Sequence, residues 1–311
     1  MYLFVYSDFS AAARAELRCQ LPAGTEAVFS ADLPTEQQRR AALARAELLL
    51  GNPPADWLAP LPTQLQFWQI DSAGISQYQH LRPTFPVANA GDLFAWPCAE
   101  TMVAGLLALL RYVPELAVWQ ARQHWEGGQF RQQLGLLRGR RVLILGRGTI
   151  GQAVAQQLSG FGCPVQFLAR TDPQAQLHTR ADVLAALPNT DIVVNCLPGS
   201  AAGFFSAELL AALPPHALYA SVGRGSTTDE PALIAALQEG RLAGAVLDVT
   251  AQEPLPTDNP LWKLPRVLLT QHTGGGHLGE QAGKLEIFLR NLHRWQQGEP
   301  LENEVDLARG Y

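Results

Sequence analysis

The segment at 140–151, RRVLILGRGTIG, constrains the fold of this chain more than any other. An apolar run passes straight into Gly146, Gly148 and Gly151, and a helix-forming stretch, QAVAQQLSGFG, follows. Strand, glycine-rich turn and helix N-terminus in that order make an anion site. The first glycine allows the tight turn, the second lets backbone approach a pyrophosphate, and the third lets the helix pack on the strand. The helix start adds unpaired N–H groups and the positive end of its dipole. The spacing predicts a dinucleotide held by Gly146, Arg147, Gly148, Thr149, Ile150 and Gly151. The alternative is a glycine-rich turn in some other α/β protein.

The rest of the chain suits such a turn. YLFVYS reads as strand, AAARAELRCQL as helix, AVFSA as strand, TEQQRRAALARA as helix and LQFWQIDSAG as a strand ending in glycine. That rhythm implies a parallel sheet. The segment near 82–97, with its Pro and Gly, breaks it. A long apolar helix is predicted from about Ala99 to Val118, followed by a polar connector, RQHWEGGQFRQQ. Beyond the glycine turn, CPVQFLAR, DIVVNCLP, ALYASVG, AGAVLDV and RVLLTQH read as strands, with AELLAAL and EPALIAALQEG as helices among them. Near the end, Leu285, Phe288, Leu289 and Leu292 fall at helical spacing. The expected fold is α/β, with two Rossmann-like, doubly wound parallel-sheet domains and a ligand cleft between them.

Composition narrows the functional classes. A chain of 311 residues, 47% hydrophobic and 16% charged, has length for two domains and too much apolar content for disorder. The formal charge is −5 and no basic run stands out, so no nucleic-acid partner is expected. Cys19, Cys98, Cys163 and Cys196 are scattered without a CxxC pair, and read as reduced thiols of a cytoplasmic protein. The start, MYLFVYSDF, lacks the basic region of a signal peptide. The longest apolar stretch, TMVAGLLALL, is too short to span a bilayer, so no membrane partner is expected.

Six motifs then occur in order: SAGI at 72–75, GRGTIG at 146–151, NCLP at 195–198, SVGRG at 221–225, LDVTAQEPLP at 247–256 and LTQHTGG at 269–275. Together they resemble the D-isomer-specific 2-hydroxyacid dehydrogenases, and within them the glyoxylate/hydroxypyruvate reductase branch, whose tail the final VDLARGY also resembles. The likeness is densest from about 119 to 275 and thinner over the first 95 residues.

The resemblance implies a catalytic set of Arg224, Glu253 and His272. Reducing a 2-keto acid takes a hydride on the carbonyl carbon and a proton on its oxygen. Histidine is the side chain that holds and releases a proton near neutral pH. A carboxylate beside an imidazole favours its protonated form and fixes its orientation, the role implied for Glu253. A guanidinium offers a planar fork to a carboxylate and stabilises charge developing on the carbonyl oxygen, the role implied for Arg224. Each has a plainer reading: a surface arginine in a turn, a glutamate opening a loop, a histidine ending a strand. His277 is the rival proton donor. The resemblance further implies that the N–H groups of Ala73 and Gly74 hold the substrate carboxylate, where the alternative is an ordinary turn. It places Leu197, Pro198 and Asp248 near the nicotinamide, although Asp248 also reads as a strand-end cap.

The same likeness implies a discontinuous substrate domain, 1–95 plus 280–311, and a dinucleotide domain, 96–279, with helices near 99–118 and 280–297 at the hinge. NAD users place an acid at the end of the strand after the glycine turn, on the ribose 2′-OH. Here CPVQFLAR ends in Arg170, followed by Thr171, a pair that attracts a 2′-phosphate, with Arg147 in the glycine turn adding to the field. NADPH is therefore expected over NADH. The alternative has Arg170 stacking on adenine while Asp172 takes the ribose. No metal is expected, and the resemblance implies a homodimer through the long apolar helix and its neighbours. The expected activity is NADPH-dependent reduction of small 2-keto acids, glyoxylate to glycolate and hydroxypyruvate to D-glycerate. The alternatives are a relative acting on another 2-hydroxy acid or a phosphorylated acid, and a nucleotide-sensing co-regulator without turnover. The chain departs from the family pattern at Gln271, where Pro is usual, and at Ser221, where Asn is usual; Gly274, Gly275 and Gly276 are expected to loosen the loop after His272.

Overall fold

Short apolar runs such as LLL at 48–50 and VLIL at 142–145, too short for helices, become inner strands buried on both faces, as a parallel sheet requires. The computed structural model describes residues 1–309; Gly310 and Tyr311, the last two of the VDLARGY ending, lie outside the described residues. The chain divides into two compact units, 1–94 with 277–311, and 95–276.

In chain order the first unit holds β1 (Tyr2–Val5), α1 (Ala11–Gln20), β2 (Glu26–Phe29), α2 (Glu36–Ala44), β3 (Leu48–Leu50), β4 (Phe67–Gln69) and β5 (Val87–Ala88). The second holds α3 (Ala95–Leu110), α4 (Val113–Ala121), β6 (Val142–Leu145), α5 (Thr149–Ser159), β7 (Val165–Leu168), α6 (Arg180–Ala186), β8 (Ile192–Asn195), α7 (Ala207–Ala211), β9 (Leu218–Ser221), α8 (Glu230–Gln238), β10 (Gly244–Leu247) and β11 (Val267–Leu269). The chain then returns to the first unit with α9 (Glu280–Gln297).

The first sheet has the order β2-β1-β3-β4-β5, all parallel. Ser10 caps α1 by accepting the Ala13 N–H, and Thr35 and Gln38 form a reciprocal capping box on α2. On one face, Trp68 meets Tyr78 edge-on at 4.6 Å, and its indole N–H donates to the Gly51 carbonyl at 2.8 Å. On the other, Phe288 of α9 stacks on Phe67 with ring centres 6.0 Å apart. The segment near 82–97 does more than break the pattern: it supplies β5, which two residues suffice to make because Val87 and Ala88 pair with Trp68 and Gln69. So short a strand leaves no periodicity to read.

The second sheet has the order β11-β10-β9-β8-β6-β7, also parallel. Helix α3 lies on it so closely that a Cβ at Gly105 would stand 2.5 Å from Val246. The single helix expected from about Ala99 to Val118 is two helices, α3 and α4, meeting at 70°. Tyr112 takes a left-handed conformation (φ 56°), and Pro114, with no N–H to continue the ladder, falls in the first turn of α4. Among the described residues no single helix is long and apolar enough to cross a membrane.

Candidate active site

Register aligns the C-terminal ends of the second sheet. Leu145 pairs with Leu168 and Asn195, Asn195 with Ser221, Ser221 with Leu247, and Leu247 with Leu269. The segments beginning at Gly146, Cys196, Val222, Asp248 and Thr270 therefore leave along one edge. Strand order reverses at β6, which has β7 on one side and β8 on the other. Open α/β sheets take ligands at such a point.

The glycine turn starts there. Gly146 has φ +99°, and a Cβ on Gly151 would stand 2.2 Å from the Gly146 carbonyl oxygen, so neither position accepts a side chain. A Cβ on Gly148 would meet no protein atom. Gly148 is the N-cap of α5 and contributes no side chain to cap it, so Thr149 and Ile150 open the helix with backbone N–H groups free of a side-chain partner at the cap. This arrangement fits the pyrophosphate of a dinucleotide. Past β7, the side chain of Arg170 is exposed, and no hydrogen bond or ion pair engages it among the described residues; Thr171 is exposed beside it. Arg147 is occupied: its guanidinium binds Asp172 and the Gln174 side chain.

Arg224 sits between two glycines wedged against neighbouring backbone. A Cβ on Gly223 would stand 2.3 Å from the Leu197 carbonyl, and one on Gly225 would stand 1.8 Å from the Thr250 carbonyl. Arg224 is thereby held between the segment after β8, which carries Leu197 and Pro198, and the segment after β10, which carries Glu253. Its side chain is half-buried, and Nη1 donates to the Gly223 carbonyl at 2.8 Å.

Glu253 and His272 meet directly. Oε2 of Glu253 is 2.6 Å from Nδ1 of His272, and Oε1 accepts the Thr250 N–H at 3.0 Å. Both residues are exposed. With Nδ1 on the carboxylate, Nε2 is the ring nitrogen left to exchange a proton. His272 and Gln271 both have left-handed backbone, φ 57° and 53°. Proline's ring forbids that angle, so Gln271 permits a path closed to the usual residue.

Asp248 braces this loop. It is 4% exposed; its carbonyl accepts the His272 N–H at 2.6 Å, and Oδ1 accepts the Thr270 hydroxyl at 2.5 Å and the Gly274 N–H at 2.9 Å. The glycine run expected to loosen the loop is instead pinned at Gly274, because a buried carboxylate needs donors and finds one there. Burial pushes the Cys98 thiol up to about 12, with Asp248 adding to the rise and Arg224 opposing it, and burial lifts Cys196 to about 12 as well. Neither thiol is a nucleophile near neutral pH.

Sequence reasoning missed the support beneath Arg224. Asn195, fully buried, donates to Tyr219 Oη at 2.8 Å and Thr227 Oγ1 at 2.9 Å, while its Oδ1 accepts the Leu197 N–H at 3.0 Å. The Thr227 hydroxyl in turn donates to the Arg224 carbonyl at 2.7 Å. The signal was an asparagine closing the apolar run IVVN, since a buried amide must find partners.

Ala73 and Gly74 belong to the first unit, in the turn after β4. Asn89 Nδ2 donates to the Ala73 carbonyl at 2.7 Å and Ser72 Oγ to the Gly74 carbonyl at 2.8 Å. Neither N–H donates a hydrogen bond within the described residues. His277 also falls in the first unit, lining a cavity of about 260 Å³ with Ser7, Asp8, Gln281 and Lys284. None of the residues proposed for catalysis or binding lines that cavity.

A sequence model of the D-isomer specific 2-hydroxyacid dehydrogenase NAD binding domain matches residues 103–274, more than half of the chain. The chain belongs to this family. A curated relative, the glyoxylate/hydroxypyruvate reductase A of Salmonella heidelberg, is 37% identical over 176 residues, 55% of this chain and 56% of that protein. The match thus spans about half the length of the curated relatives. Two solved family structures align along essentially the whole chain. A probable 2-hydroxyacid dehydrogenase from Rhizobium etli, in complex with NADP, HEPES and L(+)-tartaric acid, is 26% identical with a TM-score of 0.80, covering 100% of this chain and 99% of that one. A D-isomer specific 2-hydroxyacid dehydrogenase from Xanthobacter autotrophicus, in complex with NADPH and MES, is 28% identical with a TM-score of 0.79, at the same coverage. The two parallel sheets are those of the family fold.

Proposed function

We propose that this protein reduces small 2-keto acids with NADPH, converting glyoxylate to glycolate and hydroxypyruvate to D-glycerate. The observation that carries the reading is the 2.6 Å contact between Glu253 and His272 Nδ1, which orients one imidazole at the sheet edge where the glycine turn also lies. His272 Nε2 gives its proton to the substrate carbonyl oxygen as the alkoxide forms, and Glu253 stabilises the imidazolium beforehand. Arg224 holds the acid with its guanidinium and offsets charge growing on the same oxygen. The unengaged N–H groups of Ala73 and Gly74 take the substrate carboxylate, which assigns substrate binding to the discontinuous unit. Gly146, Gly148, Thr149, Ile150 and Gly151 hold the pyrophosphate, Leu197, Pro198 and Asp248 flank the nicotinamide, and Arg170 with Thr171 receives the 2′-phosphate. The cofactor supplies the hydride. That two solved relatives hold NADP or NADPH supports this preference.

We further propose a homodimer. Its surface is not α3, whose Met102 and Leu106 are fully buried in the second unit's core, but α4 and the segment after it. There Val113, Val118, Trp125 and Leu136 are exposed, Trp125 at 98%. The four free thiols suit a cytoplasmic setting.

Nicotinamide absorbance, followed with NADPH or NADH and a panel of small 2-keto acids, tests the activity. Turnover of glyoxylate and hydroxypyruvate with NADPH, lost by roughly 10²–10⁴-fold in His272→Asn, is expected. Faster oxidation of NADH across the panel overturns the cofactor assignment. Tight dinucleotide binding with no turnover overturns the enzyme and favours a sensor.

A further inference from the structure

The glycine turn and the loop after β7 carry three charges together, Arg147, Arg170 and Asp172. We propose that Arg147 decides cofactor preference by neutralising Asp172, which keeps a chain that carries an NAD-type acid selective for a 2′-phosphorylated dinucleotide. The proposal rests on the NADPH reading above and names the residue that makes it possible.

A carboxylate just past the second strand of a dinucleotide fold accepts the ribose 2′-OH of NAD and repels a 2′-phosphate. Asp172 occupies that stretch, two residues beyond Arg170. Its carboxyl is held below the usual range, first by the Gln174 N–H, which Oδ1 accepts at 2.9 Å, and then by Arg147 on Oδ2. It is therefore an anion at neutral pH, in the loop that brings Arg170 to the phosphate. Left bare, it would cancel the attraction of Arg170.

Arg147 is built to prevent this. One arm of its guanidinium meets Asp172 and the other meets Gln174 Oε1. The Phe167 ring lies 5.5 Å away, and the Gln152 side chain donates to the Arg147 carbonyl at 3.1 Å, tying the turn to α5. The Arg147 side chain is only 19% exposed. A partly buried ion pair with a second acceptor on the cation keeps its geometry better than an open surface pair. Arg170 has no such tether. Among the described residues a 2′-phosphate thus meets the unengaged Arg170 and one neutralised pair, where the bare sequence offers two bases and an acid.

The test is titration calorimetry of NADP⁺ and NAD⁺ on the intact protein and on Arg147→Ala, Asp172→Asn and the double variant. The wild type is expected to prefer NADP⁺. Arg147→Ala should lose that preference by roughly tenfold or more, because an unscreened carboxylate now faces the phosphate. NAD⁺ affinity should rise, because the freed carboxylate can accept the ribose 2′-OH, and circular dichroism reports an intact fold. Removing both charges should return the preference to within about threefold of wild type, the signature of two coupled residues. A double variant as poor as Arg147→Ala shows that Arg147 touches the phosphate itself and overturns the masking. An unmoved ratio in Arg147→Ala, with wild-type preference for NADP⁺, overturns this proposal alone. A wild type without preference for NADP⁺ overturns the NADPH reading and this proposal with it.

Discussion

Glu253 makes two hydrogen bonds, one to the Thr250 N–H and one to His272, so its neutral isostere fits the same space. What Glu253→Gln removes is the charge that steadies an imidazolium. Its kcat for keto-acid reduction is expected to fall about 10- to 100-fold, less than for His272→Asn, while NADP⁺ affinity by fluorescence titration stays at the wild-type value. Equal losses in kcat and NADP⁺ binding would mean that Glu253 only props up the loop. Gly225 carries a second prediction at this scale. With the Thr250 carbonyl 1.8 Å from where a Cβ would go, Gly225→Ala must push apart the segments that carry Arg224 and Glu253. Keto-acid KM should rise together with a fall in kcat, and retention of both at wild-type values would refute this account of the loop. The proton donor was legible in the sequence because chemistry restricts it to few side chains. Asp248's grip on both sides of His272 was not, because nothing in LDV announces where the carboxylate will find donors.

At the scale of elements, the ends of the second sheet divide the labour. C-terminal ends present the loops just described, while N-terminal ends are tied by Asp191, which precedes β8. Burial opposes its charge, but hydrogen bonds from the Arg141 side chain and backbone and from His216 outweigh this and hold its carboxyl below the usual range. Those bonds join the starts of β6 and β8. A carboxyl with a depressed folded pKa contributes stability fully above its unfolded value, near 3.9, and loses it as pH falls through the folded value. Asp191→Asn should therefore cost about 2 kcal/mol at pH 7 by urea unfolding, the order of a charged hydrogen-bond set. The difference from wild type should shrink as unfolding is followed below pH 4. A difference independent of pH would show that the effect is packing and not charge.

For the whole molecule, the apolar surface of α4 and the residues after it sets the expectation. Phe130 stacks on both Tyr112 and Trp119, with centres 5.0 and 4.6 Å apart, and Trp125 and Leu136 in the same stretch of chain stand exposed. Sedimentation velocity at micromolar concentration should give a dimer, and Trp125→Glu with Leu136→Glu should give a monomer that keeps its fold by circular dichroism. A wild-type monomer under those conditions removes the homodimer from the proposal.

The sequence by itself determined the class of fold and the type of chemistry, since both depend on local patterns. Glycine spacing after VLIL dictates a turn that only small residues allow, and strand-length apolar runs alternating with helical ones dictate a parallel sheet. The tertiary structure alone decided which charges meet. Arg147 and Asp172 lie twenty-five positions apart and Asn195 and Thr227 thirty-two, separations across which no periodicity operates. It also decided that the apolar stretch after 95 bends at Tyr112, because an apolar helical pattern looks alike whether one helix is buried or two meet at an angle. Pairings of that kind are set by strand register and loop path, which exist only once the sheet has formed.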